Sequence, residues 1–242
     1  MSSAQLADDL TARLRESGSP ERATSERAYL KSSYEHFGVS VPAGRQIVKA
    51  FTREHSELRQ RRAVLALVAE LWTQPIYERR RAGLELLMLR VPVLTAGDLG
   101  FIERLVRESY TWALVDGLAG EVAGRIVVAH EADPLVGARL DGWAVDQDFW
   151  VRRSALLAHL VGLKSGQGFE RFARYADAML EEREFFIRKA IGWVLREEGT
   201  RRPDEVTAWL LPRASRCSGV TLREAVKHLP PAQAAAIRAA AA

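Results

Sequence analysis

Cysteine is almost absent from this sequence: its 242 residues include only Cys217. A single cysteine excludes an intramolecular disulfide and every zinc or iron–sulfur site built from several thiolates. The five histidines are scattered, and no two have the spacing of paired metal ligands such as HxxxH. We therefore expect no metal and no cofactor, and a reducing cytoplasm is the natural compartment for a chain without disulfides.

Long apolar runs and familiar catalytic motifs are also missing. No stretch approaches the roughly 20 apolar residues of a membrane span, and the amphipathic amino-terminal segment lacks the apolar core of a signal peptide. We therefore expect no membrane association. The sequence contains no GxxxxGK[ST], GxGxxG or GxSxG motif, so nothing supports a phosphotransferase, a dinucleotide-dependent dehydrogenase or a serine hydrolase.

Strand-like alternation is absent as well, and nearly every segment has the apolar spacing of a helix. Proline and glycine mark the predicted helix boundaries, at Gly18-Ser19-Pro20, Val41-Pro42, Gln74-Pro75, Val91-Pro92, Asp133-Pro134, Gly166 and Arg202-Pro203. This pattern predicts an all-α fold. We expect one domain over residues 1–230, followed by an alanine-rich tail, frayed or disordered, over residues 231–242.

What the sequence does contain is a repeated pattern of two aromatic residues, a β-branched residue and two basic residues. It occurs twice, 36 residues apart, as Phe149-Trp150-Val151-Arg152-Arg153 and Phe185-Phe186-Ile187-Arg188-Lys189. An aromatic residue followed by basic residues also occurs from Tyr77 to Arg81, and a weaker form of the pattern occurs from Leu222 to Glu224. A period of 36 lies just below the roughly 40–47 residues of HEAT-like helical repeats. The sequence therefore predicts a solenoid of stacked helical hairpins.

The basic residues of this pattern have two explanations. Stacked repeats place equivalent residues on one concave surface, where the planar guanidinium of arginine suits phosphate. Alternatively, these residues satisfy helix ends or face solvent on an outer surface. The net charge is only +4, so composition does not decide between them. We expect a curved solenoid with a basic concave groove.

The strongest candidate for a catalytic group in this sequence is a carboxylate that lies one helical turn from a tryptophan. Trp112 and Asp116 are four residues apart and share one face of a helix. An isolated aspartate on a helix surface usually has no specific role. In a cationic groove, however, a carboxylate repels the phosphate backbone, so it makes more sense as a group that stabilises a cationic sugar and orients a water.

At these residues the sequence resembles the AlkD-like alkylpurine DNA glycosylases, which are built from HEAT-like repeats. The clearest match is EFFIRKAIGWVLREEG at positions 184–199. Shorter segments support it at positions 27–31, 37–39, 70–72, 112–116, 150–153 and 221–228. The resemblance therefore extends over most of the chain.

The resemblance implies an enzyme that hydrolyses the N-glycosidic bond of cationic alkylated purines in duplex DNA, such as 3-methyladenine and 7-methylguanine, without base flipping. The family's catalytic aspartate falls on Asp116, its sugar-contacting tryptophans on Trp112 and Trp193, its catalytic-site arginine on Arg153, and a tyrosine near the lesion on Tyr29. Further candidates for DNA contacts are Lys31, Arg152, Arg188, Lys189 and Arg196.

The implied chemistry is coherent. Alkylation at N3 or N7 makes the purine a good leaving group, so Asp116 needs only to stabilise an oxocarbenium-like deoxyribose and deliver water. Leaving the base stacked avoids an unstacking cost of roughly a few kcal/mol and tolerates bulky adducts. Thr111 stands where related sequences can carry a second aromatic residue, which bears on lesion preference.

Two alternatives stay open. One is a non-catalytic HEAT-like scaffold that binds DNA or a protein. The other is a glycosylase that provides self-resistance by removing the bulky N3-adenine adducts of a genotoxic natural product, rather than serving housekeeping base excision repair. As an enzyme, the protein is expected to act as a monomer on double-stranded DNA with alkylated purines, in the cytoplasm at the nucleoid.

Overall fold

The structure is a computed structural model that describes residues 1–241; Ala242, the end of the predicted tail, lies outside the described residues. Within this range the chain is helical, and its only extended pairing is an isolated bridge between Glu35 and Ile76. The prediction of an all-α fold is confirmed. None of the helices in this range combines the length and the apolar character needed to span a bilayer.

The α-helices follow one another with short connections. In chain order they are α1 (Ser3–Glu16), α2 (Pro20–Leu30), α3 (Val41–Glu54), α4 (Arg61–Trp72), α5 (Tyr77–Arg90), α6 (Leu99–Arg107), α7 (Trp112–Asp116), α8 (Gly124–Ala129), α9 (Pro134–Ala144), α10 (Phe149–Leu157), α11 (Leu160–Leu163), α12 (Phe169–Ala178), α13 (Phe185–Gly199), α14 (Pro203–Leu210), α15 (Gly219–Ala225) and α16 (Pro231–Ala240). Short 3-10 helices lie at Ser56–Arg59, Val91–Val93, Ala96–Asp98, Leu211–Arg216 and Val226–His228, and a π-helix at Gly117–Ala123.

The helices group into two compact units. The first comprises Met1–Asp98 and Glu108–Leu118, and the second comprises Leu99–Arg107 and the chain from Ala119 onward. In the first unit α4 packs on α5 and α1, and α3 packs on α5. In the second unit α10 packs on α9 and α13, and α13 packs on α15. The carboxyl-terminal α16 buries Ala234 and Ile237.

Serine and proline explain where α2 and α3 begin. The side chains of Ser19 and Ser40 accept the backbone N–H groups of Arg22 and Ala43, and a proline stands in the first turn of each helix. Such caps satisfy donors that have no partner within the helix, and proline in the first turn loses no hydrogen bond. These are boundaries that the proline and glycine pattern predicted.

A ladder of ion pairs repeats along the second unit. Three acidic residues, spaced 36 to 38 positions apart, each pair with an arginine that lies about one repeat further along the chain. The pairs are Glu103 with Arg139 at 3.0 Å, Asp141 with Arg174 at 2.9 Å and Asp177 with Arg213 at 3.0 Å. This recurrence supports the predicted helical repeat, because equivalent positions make equivalent contacts.

Glu103 has the most hydrogen bonds in this ladder. Its carboxylate accepts from Arg107 at 2.7 Å, from Arg139 at 3.0 Å and from the indole nitrogen of Trp143 at 2.8 Å. Burial alone would raise the pKa of Glu103, but these donors outweigh it and hold the pKa below its ordinary value. The interaction therefore stabilises the fold above the unfolded-state pKa and is lost as the pH falls through the folded-state pKa.

We expect Glu103→Gln to lower the free energy of unfolding by about 2 kcal/mol at pH 7, because it removes a partly buried charge that accepts from three donors. The difference from wild type should shrink as the pH falls toward 3. Urea unfolding followed by tryptophan fluorescence at several pH values measures both effects. Asp141→Asn is the control: its side chain is 54% exposed, against 18% for Glu103, and should cost less than about 1 kcal/mol. Equal stability of wild type and Glu103→Gln at pH 7 would contradict this role.

Two arginines of the repeated pattern are structural. Arg79 and Arg80 at the start of α5 are buried. Arg79 donates to the carbonyl of Glu70 at 2.9 Å, and Arg80 donates to the carbonyl of Trp72 at 3.2 Å. The last carbonyls of α4 have no partner within their helix and need such donors. The prediction that basic residues at this position line a groove is therefore wrong for Arg79 and Arg80.

Candidate functional site

The short helix α7 carries two of the predicted site residues, Trp112 and Asp116. The Thr111 side chain caps it by accepting the N–H of Ala113 at 3.4 Å. Leu114 and Val115 are fully buried and anchor the helix, whereas Trp112 and Asp116 are half-buried. The helical spacing therefore holds an indole and a carboxylate one turn apart at the surface of the first unit.

A π-helix, Gly117–Ala123, begins directly after Asp116. Such segments are rare and frequently occur at functional sites. Gly117 lies against α5: a Cβ atom at this position would be 2.6 Å from Cδ2 of Leu84. Glycine therefore permits the backbone next to Asp116 to pack closely on α5.

Tyr29 lies beside Trp112. The two ring centroids are 6.0 Å apart with an angle of 84° between the planes, which is a favourable edge-to-face arrangement. Tyr29 is 72% exposed although it packs against this neighbour. Lys31, two residues further on, is exposed and ends α2 in the left-handed conformation. The first unit thus brings together Tyr29, Trp112 and Asp116, which are distant in sequence.

Arg153 on α10 is held by α13, in the second unit. Its guanidinium is buried and donates to the carbonyl of Phe186 at 2.5 Å. It also lies 5.7 Å from the centroid of the Phe186 ring. Phe186 in turn stacks on Phe149 with a centroid distance of 6.2 Å. Phe186 also packs on Trp150, its equivalent in the preceding repeat, with a centroid distance of 4.7 Å, so aromatic residues of two repeats contact each other beside Arg153.

Trp193 is half-buried on α13, between two buried residues. The neighbouring Gly192 lies against α15, where a Cβ atom would be 2.8 Å from the carbonyl oxygen of Thr221. Because this close contact occupies one side of α13, the indole of Trp193 is directed toward another side of the helix. Trp193 and Arg153 both belong to the second unit.

Lys189 and Arg196 share a buried carboxylate. Each forms an ion pair with Glu224 of α15, and Lys227 lies 3.0 Å from the same carboxylate. Burial and the neighbouring cations lower the pKa of Lys189. Arg196 also pairs with Glu197 at 3.1 Å, so two carboxylates hold these three cations. This pairing was not predictable from the sequence, although Glu224 lies in one of the segments that resemble the family.

Arg152 and Arg188 both contact Glu182. Arg152 makes a bidentate pair with its carboxylate, at 2.9 and 2.8 Å, while Arg188 donates to its backbone carbonyl at 2.7 Å. The cations predicted for DNA contacts in the second unit therefore have protein partners. Such partners order the side chains before any ligand arrives.

Glu26, His36 and Glu78 are the one group in residues 1–241 whose side chains have the spacing of metal ligands, with donor atoms within 4.8 Å of one another. The Glu78 carboxylate, however, accepts the backbone N–H groups of Phe37, Gly38 and Val39 at 2.9, 2.7 and 3.2 Å. These three donors engage most of its lone pairs, so we assign Glu78 to bracing this loop.

A cleft of about 380 Å³ in the second unit contains none of the predicted site residues. Its wall includes Glu131, Arg171 and the buried side chain of His159. Burial lowers the pKa of His159 to about 3, so this imidazole is neutral at physiological pH. A neutral, deeply buried histidine packed near Phe172 and Tyr175 is a core residue.

Comparison with known proteins places the chain among DNA repair proteins. Residues 10–229 match the family model described as DNA alkylation repair enzyme. A structure described as a predicted DNA alkylation repair enzyme from Enterococcus faecalis is 22% identical, with a TM-score of 0.80, and the match covers 88% of this chain and 97% of that one. The crystal structure of smu.31 from Streptococcus mutans UA159 is 16% identical, with a TM-score of 0.56 and coverage of 77% and 100%. These two similarities show a shared fold. No curated protein matches the chain.

Proposed function

The chain belongs to the family of DNA alkylation repair enzymes, and we propose that it is a glycosylase that hydrolyses the N-glycosidic bond of cationic alkylated purines in duplex DNA. The observation that carries this proposal is the carboxylate of Asp116, set one turn from Trp112, whose indole lies against Tyr29. This arrangement offers a negative charge and two aromatic rings at a protein surface.

These groups match the demands of the reaction. A purine alkylated at N3 or N7 is cationic and leaves without being protonated, so no general acid is required. As the bond breaks, positive charge moves onto the deoxyribose. The Asp116 carboxylate would stabilise that charge and orient the attacking water. The faces of Trp112 and Tyr29 would add cation–π attraction, typically about 0.5–2 kcal/mol.

The exposure of Tyr29 supports a mechanism that leaves the base in the duplex. An enzyme that flips a base needs an enclosing pocket, whereas Tyr29 is 72% exposed. We propose that Tyr29 and Trp112 contact the sugar and backbone of a stacked nucleotide. Such a site would also accept bulky N3-adenine adducts, since the modified base remains outside the protein.

Residues of the second unit complete the proposal. Trp193 would pack against the deoxyribose, and Arg153 would hold a phosphate near the lesion. Contacts with the DNA backbone would come from Lys31 of the first unit and from Arg152, Arg188, Lys189 and Arg196. Lys189, Arg196 and Lys227 outnumber their two carboxylate partners, Glu224 and Glu197, so that cluster retains a positive excess that can attract phosphate.

A base-release assay tests the proposal. Duplexes containing 3-methyladenine, 7-methylguanine or a bulky N3-adenine adduct are incubated with the protein, and free base, abasic sites and DNA binding are measured in parallel. We expect base release with formation of abasic sites. DNA binding without release from any substrate would instead identify a scaffold. Faster release of the bulky adduct than of the methylated bases would favour self-resistance over general base excision repair.

A further inference from the structure

Two non-glycine residues within positions 1–241 have a left-handed backbone, Lys31 and Tyr110, each with φ of 48°. Both lie close in sequence to one of the two aromatic residues that contact each other, Tyr29 and Trp112. Lys31 follows the helix that carries Tyr29, and Tyr110 stands two residues before Trp112. This conformation is strained for residues with a Cβ atom, above all for bulky ones, and it concentrates at functional sites.

The Tyr110 side chain does not compensate for this strain by burial, because it is 69% exposed. Glycine would adopt the same backbone without steric cost, and asparagine would adopt it more readily than tyrosine. A large aromatic ring in solvent likewise contributes little to the core. Tyrosine at this position is therefore a poor choice for stability, and its presence points to another use.

A buried clamp holds the turn just before Tyr110. The Tyr34 hydroxyl lies 2.8 Å from the carbonyl oxygen of Glu108 and 2.7 Å from that of Ser109. Arg80 donates to the Tyr34 hydroxyl at 2.7 Å and also to the Glu108 carbonyl. Burial raises the pKa of Tyr34 to about 12, so the hydroxyl keeps its single proton, which the two carbonyls share.

The clamp is rigid because both of its side chains are buried and stacked. The Arg80 guanidinium lies 4.6 Å from the centroid of the Tyr34 ring. It fixes the two carbonyls that immediately precede Tyr110, and so it sets the direction in which the exposed ring leaves the backbone. Glu108, Tyr110, Trp112 and the clamp all belong to the first unit.

We propose that Tyr110 is a further DNA-contacting residue that helps to determine specificity, with its ring packed against the strand next to the alkylated nucleotide. Tyr34 and Arg80 are positioning residues that act through Tyr110. This inference rests on the proposed function, since it takes an alkylated duplex as the ligand. A ring that packs on the sugar and backbone of the strand reads no base edges, so this contact tolerates any sequence, which suits an enzyme that must find lesions in varied contexts.

Tyr110→Gly tests the proposal because it should separate stability from binding. Relief of the left-handed strain should leave the melting temperature equal to or above that of wild type. The affinity for a fluorescein-labelled duplex containing one 7-methylguanine should fall about 5- to 30-fold. We also expect the preference for this duplex over the unmodified one to decrease. Fluorescence anisotropy with both duplexes measures these constants, and Tyr110→Phe, which keeps the ring, should bind as wild type does.

Tyr34→Phe tests the clamp, since it keeps the buried ring and removes the hydroxyl. If Tyr34 acts through Tyr110, its substitution should weaken DNA binding in the wild-type background and have no further effect beside Tyr110→Gly. Additive losses of affinity would overturn the positioning role. Wild-type affinity and preference in Tyr110→Gly would overturn the inference itself, as would a wild-type protein that binds neither duplex.

The same measurements separate this inference from the proposed function. A wild-type protein that binds the alkylated duplex but releases no base would refute the glycosylase proposal, while the affinity comparison still decides the role of Tyr110. Conversely, base release by wild type with unchanged binding by Tyr110→Gly would leave the glycosylase standing and remove Tyr110 from its interface.

Discussion

Asp116→Asn should slow base release from a 7-methylguanine duplex by roughly 10²- to 10⁴-fold under single-turnover conditions. The amide has nearly the shape of the carboxylate, so α7 should remain packed through Leu114 and Val115. It has no negative charge, however, and cannot stabilise the cationic deoxyribose. Because the substitution removes a charge that repels phosphate, DNA affinity should stay the same or rise slightly.

The matched control is Glu121→Gln, which removes the same charge from an exposed side chain five residues further along the chain. It should release base at the wild-type rate. Thermal unfolding of both variants verifies that the fold is retained. A wild-type rate in Asp116→Asn would refute the proposed mechanism, whereas loss of release in both variants would indicate a general effect of charge on this part of the protein.

The helical fold was predictable because its determinants are local. Val41-Pro42 predicts the start of a helix, and α3 runs from Val41 to Glu54 because Ser40 caps it and proline occupies its first turn. The π-helix that follows Asp116 was not predictable. It begins at Gly117, where the backbone packs closely on Leu84, and this contact depends on a residue 33 positions away.

The site was predictable only within single helices. The spacing of Trp112 and Asp116 places them one turn apart whatever the surroundings. The contact of Tyr29 with Trp112 joins residues 83 positions apart and leaves no trace in one sequence. Tyr29 was predicted as a site residue from the resemblance to a known family and not from the pattern of residues.

Similar sequence patterns also meet different partners in different repeats. Arg80 and Arg153 both follow an aromatic residue at the start of a repeated helix. Arg80 joins Trp72 and Tyr34 in bracing the fold, and Arg153 bonds the carbonyl of Phe186. A basic residue cannot be assigned to a groove or to a helix end until its carbonyl neighbours are known, and these come from other segments.

The second large effect concerns stability: Glu78→Ala should lower the free energy of unfolding by about 3–5 kcal/mol. Glu78 is buried, and its carboxylate accepts the N–H groups of Phe37, Gly38 and Val39. Alanine would leave these donors without their acceptor. The loop cannot easily rearrange, because Gly38 has φ of +79° and lies so close to Ser19 that a Cβ atom would be 2.1 Å from its carbonyl oxygen.

Glu78→Gln is the conservative variant, and Glu35→Gln is the control in the same loop. Glutamine keeps the size and one acceptor oxygen, so we expect a loss of about 2 kcal/mol. The Glu35 side chain is 53% exposed and pairs with an exposed arginine, so its substitution should cost less than about 1 kcal/mol. Urea unfolding measures all three, and amide hydrogen exchange should show lost protection at residues 37–39 first. If Glu78→Ala were as stable as wild type, water would replace the carboxylate as the acceptor. The role of Glu78 in bracing residues 37–39 would then be wrong.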